Sequence, residues 1–310
     1  MRYATGIHVI AWCKRFLLQI PSSRLPGIWE ALGPVAKVSG SSMLITVFTP
    51  TYNRAYILPK LFESLKRQSF RDFEWIIVDD GSTDDTRKLV EAMQQDCQVK
   101  FPIRYFFQVN SGKHVAWNKG LDEAKGALFF PVDSDDYLTD DALERIGENC
   151  ETVMSNERLI ALSGVRIFPG NKLTGGILQD NVGSYIDYSS IDRRSKGITG
   201  DLAEAFVTER LRKYRFPVFE DERFVPEAVV FNRFSNDGYL IRGYAFPLYV
   251  CEYLADGYTK NTDRLLITNW KGYRLYVSEL MHSTVGIRAK AIPFCGFMYR
   301  SLLKMFGLCK

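Results

Sequence analysis

From Met43 onward the chain alternates apolar strands with amphipathic helices, and two of the strands, the second and the fourth, end in clustered carboxylates. LITVFT (44–49) is an apolar run of strand length, after which Ile57, Leu58, Leu61, Phe62 and Leu65 recur at helical spacing. FEWIIVDD (73–80) predicts a second strand closed by a GST turn, and DDTRKLVEAMQQ predicts a helix with acids at its start, where the macrodipole favours them. The unit repeats with a strand over 103–108, a helix over 114–124, and the strand ALFFPVD (127–133) running into DSDD; a helix over 140–149 and a strand over 159–167 follow. This alternation admits few topologies. It predicts an α/β fold, Rossmann-like, with a mainly parallel sheet flanked by helices and ligands outside the carboxyl ends of the strands. Strands two and four both end in several carboxylates, which repel one another without a ligand, a cation or full solvation.

Past residue 168 the alternation stops. Residues 169–200 are rich in Gly, Ser, Asn and Asp and read as a loop or short hairpin lining the site. The pattern then predicts a helix at about 201–213, the acidic stretch FEDERF (219–224), and a helix over 227–234. YLIRGY and PLYVCEYL predict two paired strands closed by an Asp256-Gly257 turn. Residues 1–42 mix turn formers with scattered apolar residues and are expected to be an appendage, on a chain whose natural start would be Met43. Lys14 and Arg15 split their one apolar segment, which makes a poor signal peptide.

Composition narrows the function classes. The chain is 310 residues long with a net charge of only +4, from 40 Lys and Arg against 36 Asp and Glu, which argues against a dedicated nucleic-acid binder. Six dispersed cysteines with no CxxC pair argue against a disulfide framework or a zinc site and suggest a reducing compartment. No apolar run reaches the roughly eighteen residues of a spanning helix. A cytoplasmic location follows as the expectation.

The sharpest chemical feature is Asp133-Ser134-Asp135-Asp136 at the end of an apolar strand, where alternate carboxylates suit Mg²⁺ or Mn²⁺ with a diphosphate completing the oxygen shell. Its company is specific. TPTYNRAYILPKLFESLKRQSF, then DFEWIIVDDGSTDDT, then NSGKHVAWNKGLDEAKGALFFPVDSDDYL resemble, in content, order and spacing, the family 2 glycosyltransferases of the GT-A fold, over about residues 43–150. The resemblance implies inverting transfer of a sugar from a nucleotide-sugar donor, a UDP-sugar above all, with Mn²⁺ or Mg²⁺. By position it places Pro50, Thr51 and Tyr52 at the nucleobase, Asp80 as acceptor of the base imide N–H with Asp79 in support, and Lys113 at the donor phosphates. Asp133 and Ser134 fall on the donor side, and Asp133 and Asp135 on the metal. His114 is a weaker candidate; Asn118 and Gly120 read as helix-packing residues, Asp201 as a helix cap or an acceptor contact, and Asp136 either as a contact for donor-sugar hydroxyls or as a cap.

An inverting transfer needs an acceptor-side carboxylate to take the hydroxyl proton. The family carries it in an acidic pair before a helix, and FEDERF leaves Asp221 and Glu222 both open as that base. From Gly286 to Lys310 the chain has five basic residues and no acid among many apolar ones. That predicts a basic amphipathic helix, either lying on an anionic membrane surface or docked on the catalytic domain. The division expected is an appendage at 1–42, a GT-A catalytic domain at 43–255 and a helical segment at 256–310. The expected partners are the donor, a glycan or lipid-linked acceptor of surface-polysaccharide synthesis, and the inner face of the plasma membrane through 286–310. A Mg²⁺-dependent phosphohydrolase or nucleotidyltransferase suits the clustered acids too, although the chain lacks a P-loop; a non-catalytic nucleotide-sugar binder is a third reading.

Overall fold

The structure is a computed structural model that describes residues 43–170, 172–177, 185–252, 262–283 and 287–305. All lie in the larger of the chain's two units, Ser41–Lys310; the expected appendage and the Asp256-Gly257 turn lie outside the described residues.

The first half runs β1 (Ile45–Thr51), α1 (Leu58–Arg67), β2 (Phe73–Asp79), α2 (Thr86–Gln95), β3 (Ile103–Phe107), α3 (Lys113–Glu123), β4 (Leu128–Pro131), β5 (Tyr137–Leu138), α4 (Ala142–Met154) and β6 (Leu159–Phe168). Short strands β7 (Lys172–Leu173), β8 (Gly176–Ile177), β9 (Tyr185–Tyr188) and β10 (Ile198–Thr199) occupy the stretch expected to be loop or hairpin. Then come β11 (Leu202–Val207), α5 (Thr208–Leu211), α6 (Ala228–Asn236), β12 (Leu240–Val250), α7 (Thr262–Thr268), α8 (Trp270–His282) and α9 (Ile287–Met305).

The main sheet has the order β3-β2-β1-β4-β11-β6-β12-β5. Strands β1 to β4 pair in parallel, with Thr51 opposite Asp79, so the ends of β1 and β2 reach the same edge as the end of β4. Every residue of β1 and β2 is buried, because helices cover both faces of the sheet. Alternate side chains feed two cores. Val47, Trp75 and Ile77 pack with Leu61 and Leu65 of α1, while Phe48, Ile76 and Val78 pack with Trp117 and Leu121 of α3. Trp117 sits edge-on to Phe129 and Phe216 at centroid distances of 5.5 and 5.7 Å, and each such buried ring contributes about 1.5–3 kcal/mol. The Gly120 reading holds: a Cβ there would lie 2.3 Å from the Phe48 ring, so only glycine lets α3 approach β1. Asn118 exchanges two hydrogen bonds with the Phe216 backbone, at 2.9 and 3.0 Å, and packs α3 as expected.

Two expectations fail. The helix over 201–213 is instead β11, inserted antiparallel between β4 and β6, with only Thr208–Leu211 helical. Buried on both faces, LAEAFV shows no alternation, and its alanines mimic a buried helix. The paired strands expected over 239–254 are one long strand, β12, parallel to β6, with register shifts between Gly243 and Pro247. Pro247 has no N–H to donate, so the ladder is interrupted where it stands. The C-terminal helix exists as α9 and is docked on one side: Phe297 stacks on Trp270 at 5.3 Å, and Arg300 pairs with Asp263 at 2.5 Å.

Candidate functional site

At the ends of β1 and β2, the residues expected at the nucleobase come together. Pro50 and Thr51 lie in β1, and the Tyr52 side chain opens to solvent just beyond it. Asn53 has φ +53°, a left-handed conformation that asparagine tolerates. Its backbone N–H donates to Ser82 Oγ and its Oδ1 accepts from the Thr83 N–H, both at 2.8 Å, so the two strand ends are stitched together. Asp79 is buried and accepts from the Ser82 N–H at 2.7 Å and the Tyr105 hydroxyl at 2.6 Å. Asp80 accepts from Gln108 Nε2 and from the Ser111 and Gly112 N–H groups, each at 2.8 Å. Of about four lone-pair directions on its carboxylate, one remains. Asp80 therefore shapes the 108–112 turn, and a ligand N–H would find a single acceptor position there.

That turn delivers the start of α3. Gly112 has φ +99°, and a Cβ at this position would stand 2.0 Å from the Arg223 carbonyl oxygen, so the loop after α5 presses directly on the turn. Lys113 opens α3 with its ammonium between two carboxylates, 2.7 Å from Asp133 Oδ1 and 2.8 Å from Glu227 Oε1. Burial works against its charge, but Asp133 and Glu227 outweigh that and raise its pKa above the ordinary lysine value. His114 is buried behind it with neither ring nitrogen partnered, and burial lowers its pKa, which favours the neutral ring.

The acidic motif forms the turn from β4 to β5, where the Asp136 N–H donates to the Asp133 carbonyl at 3.1 Å and Ser134 is buried. Burial again opposes the Asp133 charge, yet Lys113 and Arg166 hold its carboxyl below the usual range. Asp135 is pushed up by burial and then by Asp133. Asp136 is pushed up to about 8 by burial and by Asp133, with Arg166 3.9 Å away as its cation. It does not cap the next helix, whose N-cap is Asp141. Three carboxylates within four residues thus share the positive charge of Lys113, Arg166 and Arg54. Among the described residues no three His, Cys, Asp or Glu side chains converge as a ready-made metal cage. The donor set nevertheless fits a hard divalent cation of the Mg²⁺ or Mn²⁺ kind, which takes one or two carboxylates plus ligand phosphates, and the upward push on Asp135 is what such a charge relieves.

The two acids singled out as base face α8. Asp221 lies at the surface and pairs with Lys271, whose hydrogen bond lowers its pKa. Glu222 is buried, and its two oxygens accept the Lys271 and Gly272 N–H groups at 2.6 and 2.8 Å, satisfying the first turn of α8. The carboxylate that stands at the acidic motif is Glu227, the N-cap of α6, about half exposed and joined to Asp133 through Lys113. Its trace in the sequence is Pro226-Glu227 immediately before an apolar helix, a helix-start signal. A second residue missed at the sequence level is Arg166, which donates to the Leu202 carbonyl at 2.9 Å and lies 4.6 Å over the Tyr249 ring while facing Asp136. Asp201 precedes a strand rather than a helix and so caps none.

Residues 46–203, half of the chain, match the sequence family described as glycosyl transferase family 2. The chain belongs to this family. One relative is a GalNAc(5)-diNAcBac-PP-undecaprenol beta-1,3-glucosyltransferase of Campylobacter jejuni, 38% identical over 104 residues that make 33% of each chain. Another is the poly(ribitol-phosphate) beta-N-acetylglucosaminyltransferase TarS of Staphylococcus aureus, 32% identical over 125 residues, 40% of this chain and 22% of TarS. The match thus spans a third or less of these relatives' own length. TarS residues 1–349 in complex with UDP-GlcNAc superimpose with a TM-score of 0.57 at 19% identity, covering 83% of this chain and 72% of that one. The mannosyltransferase PcManGT of Pyrobaculum calidifontis, in complex with GDP-Man and Mn²⁺, gives 0.54 at 20% identity over 84% and 69%. The fold is the GT-A architecture of the family, as the motifs implied.

Proposed function

We propose that the chain is an inverting, metal-dependent glycosyltransferase that moves a sugar from a UDP-sugar to a hydroxyl of a glycan or lipid-linked acceptor in surface-polysaccharide biosynthesis. The observation that carries this reading is the joining of Asp133 to Glu227 through Lys113 at the carboxyl edge of the sheet. In this reading Pro50, Thr51, Tyr52, Asp79 and Asp80 build the nucleobase subsite. Asp133 and Asp135 would hold Mn²⁺ or Mg²⁺, which supplies charge neutralisation for the departing diphosphate. Glu227 takes the proton of the acceptor hydroxyl as that oxygen bonds to the anomeric carbon from the face opposite the diphosphate. The bond from anomeric carbon to diphosphate oxygen breaks, and the nucleoside diphosphate leaves. Glu227 suits the role because its carboxylate is open to an incoming acceptor, whereas both oxygens of Glu222 are occupied by helix amides. Residues 43–255 form the catalytic domain in this reading. The printed acceptor of the Campylobacter relative, a PP-undecaprenol, supports a lipid-linked substrate, and the UDP-GlcNAc complex of TarS supports a UDP donor.

The test is a panel of nucleotide sugars with Mn²⁺, following release of nucleoside diphosphate and thermal stabilisation in the wild type and in Asp135→Ala. One UDP-sugar should stabilise the wild type only with metal present, and the variant should lose that stabilisation. Release of inorganic phosphate instead of nucleoside diphosphate would transfer the chain to phosphoryl chemistry.

The same reading places the enzyme at the inner face of the plasma membrane through α9. No described helix is long and apolar enough to cross a membrane. The row Met298, Tyr299, Leu302 and Met305 is exposed on α9, and the segment 286–310 holds five basic residues and no acid, which complements an anionic lipid surface. Vesicles of phosphatidylglycerol should float the protein, and the double change Leu302→Glu, Met305→Glu should leave it in the soluble fraction. Equal recovery of both proteins with the vesicles would reject α9 as the contact.

A further inference from the structure

Lys113 is a peculiar residue to find at the start of a helix. Its charge opposes the macrodipole there, and it is placed at hydrogen-bonding distance from two acids supplied by distant segments, Asp133 after β4 and Glu227 before α6. Only 23% of its side chain is exposed, so the ammonium has exchanged water for these two carboxylates. Arg54 and Arg166 add longer-range positive charge around the motif, with Arg166 3.9 Å from Asp136, while Lys113 is the cation at hydrogen-bonding distance from Asp133. Lys113 Nζ thus sits on Asp133 Oδ1, one of the oxygens that the reading above assigns to the divalent ion. Two cations on one carboxylate repel, so they share Asp133 poorly.

We propose, on the basis of the metal site and base assigned above, that Lys113 is a built-in cation that competes with the divalent ion for Asp133 and is retained by Glu227 when the ion takes over. The arrangement makes metal entry dependent on the donor. A bare divalent ion must displace an ammonium from Asp133, while an ion accompanied by a diphosphate brings compensating negative charge, with which the released Lys113 can also pair. Metal and nucleotide should therefore bind with positive coupling, each improving the affinity of the other by the same factor. Handing Lys113 to Glu227 also fixes the carboxylate that receives the acceptor proton at the moment the donor is in place.

The test is titration of the full chain with Mn²⁺, read by the loss of the free-ion paramagnetic resonance signal, with and without UDP. The wild type should bind Mn²⁺ weakly alone and at least tenfold more tightly with UDP. In Lys113→Met the affinity for Mn²⁺ alone should rise on the order of tenfold, because the competing charge is gone, and the enhancement by UDP should shrink. Lys113→Arg, which keeps the charge, should follow the wild type. Glu227→Gln should shift the other way, weakening Mn²⁺ alone severalfold, because a neutral amide can accept from Lys113 but no longer draws its charge away from Asp133. Opposite shifts in the two variants cannot come from general unfolding. Unchanged or weaker Mn²⁺ binding in Lys113→Met, or tightening in Lys113→Arg equal to that in Lys113→Met, overturns the competition while leaving the metal site standing. Absence of Mn²⁺ binding by the wild type even with UDP overturns it together with the metal site itself.

Discussion

Glu227→Gln is expected to lower kcat about a thousandfold while leaving the affinity for the donor within about threefold of the wild type. Glutamine keeps the shape of the side chain and can still accept from Lys113, but it cannot take a proton from an acceptor hydroxyl. A positioned general base is worth about a hundredfold to ten-thousandfold, and here the base acts only as the new bond forms, so the loss falls on kcat rather than on donor binding. The measurement is steady-state release of nucleoside diphosphate with acceptor present, beside calorimetric titration of donor. Asp221→Asn supplies the contrast. Its carboxylate makes a surface pair with Lys271, so turnover should stay near the wild-type value. If Asp221→Asn silenced the enzyme and Glu227→Gln did not, the base would be Asp221, the acid that the resemblance to the family favours equally with Glu222 and that the geometry turns towards α8.

The largest effect on stability is expected at Glu74. This acid lies inside the sheet with no exposure at all, and its environment is supplied by three separate segments. Oε1 accepts from the Thr46 hydroxyl of β1 and from the Lys125 N–H in the turn before β4, both at 2.8 Å. Oε2 pairs at 3.1 Å with Arg104 of β3, whose guanidinium also donates to the Glu123 carbonyl at 2.7 Å and meets the Glu123 carboxylate at 3.0 Å at the end of α3. Glu74→Leu removes one member of a buried network and leaves the Thr46 hydroxyl, the Lys125 N–H and one guanidinium donor without that acceptor, which costs about 3–5 kcal/mol. For a chain of this size the loss should lower Tm by about 10 °C in a thermal melt. Lys60→Ala, which breaks the more open pair with Glu252, should fall within about 0.5 kcal/mol of the wild type. A Glu74→Leu protein melting within 2 °C of the wild type, a margin well under the roughly 10 °C expected, would mean that packing of the leucine replaces the network.

Glu74 shows where reading a sequence stops. It lies inside FEWIIVDD, a strand evident from its apolar run, yet nothing within that octapeptide tells a buried networked acid from a solvated one. The same division holds across the chain. The alternation from β1 to β6 was legible because burial on one or two faces leaves a period of 3.6 or an apolar run, and both are local records. The strand-end carboxylates were legible for the same reason, since a strand's end and the turn after it are neighbours in sequence. β11 was not legible: what makes LAEAFV a strand is pairing with Val165, Gly164 and Phe129, residues far away along the chain. β12 reads as two strands because the register shifts around Pro247 interrupt its pattern, while β6 beside it carries the strand through.

By itself, then, the sequence determined the α/β unit order, the family, and the acids Asp79, Asp80, Asp133 and Asp135 at the strand ends, since these depend on short-range patterns. The tertiary structure alone decided how those acids are used. It turned Asp80 inward to hold the 108–112 turn, gave Glu222 to the N-terminus of α8 and Asp221 to Lys271, and brought Glu227 to Lys113 and Asp133. The physical reason is that a carboxylate's role is set by the charges and donors within a few ångströms of it, and at this site those partners come from segments far apart along the chain.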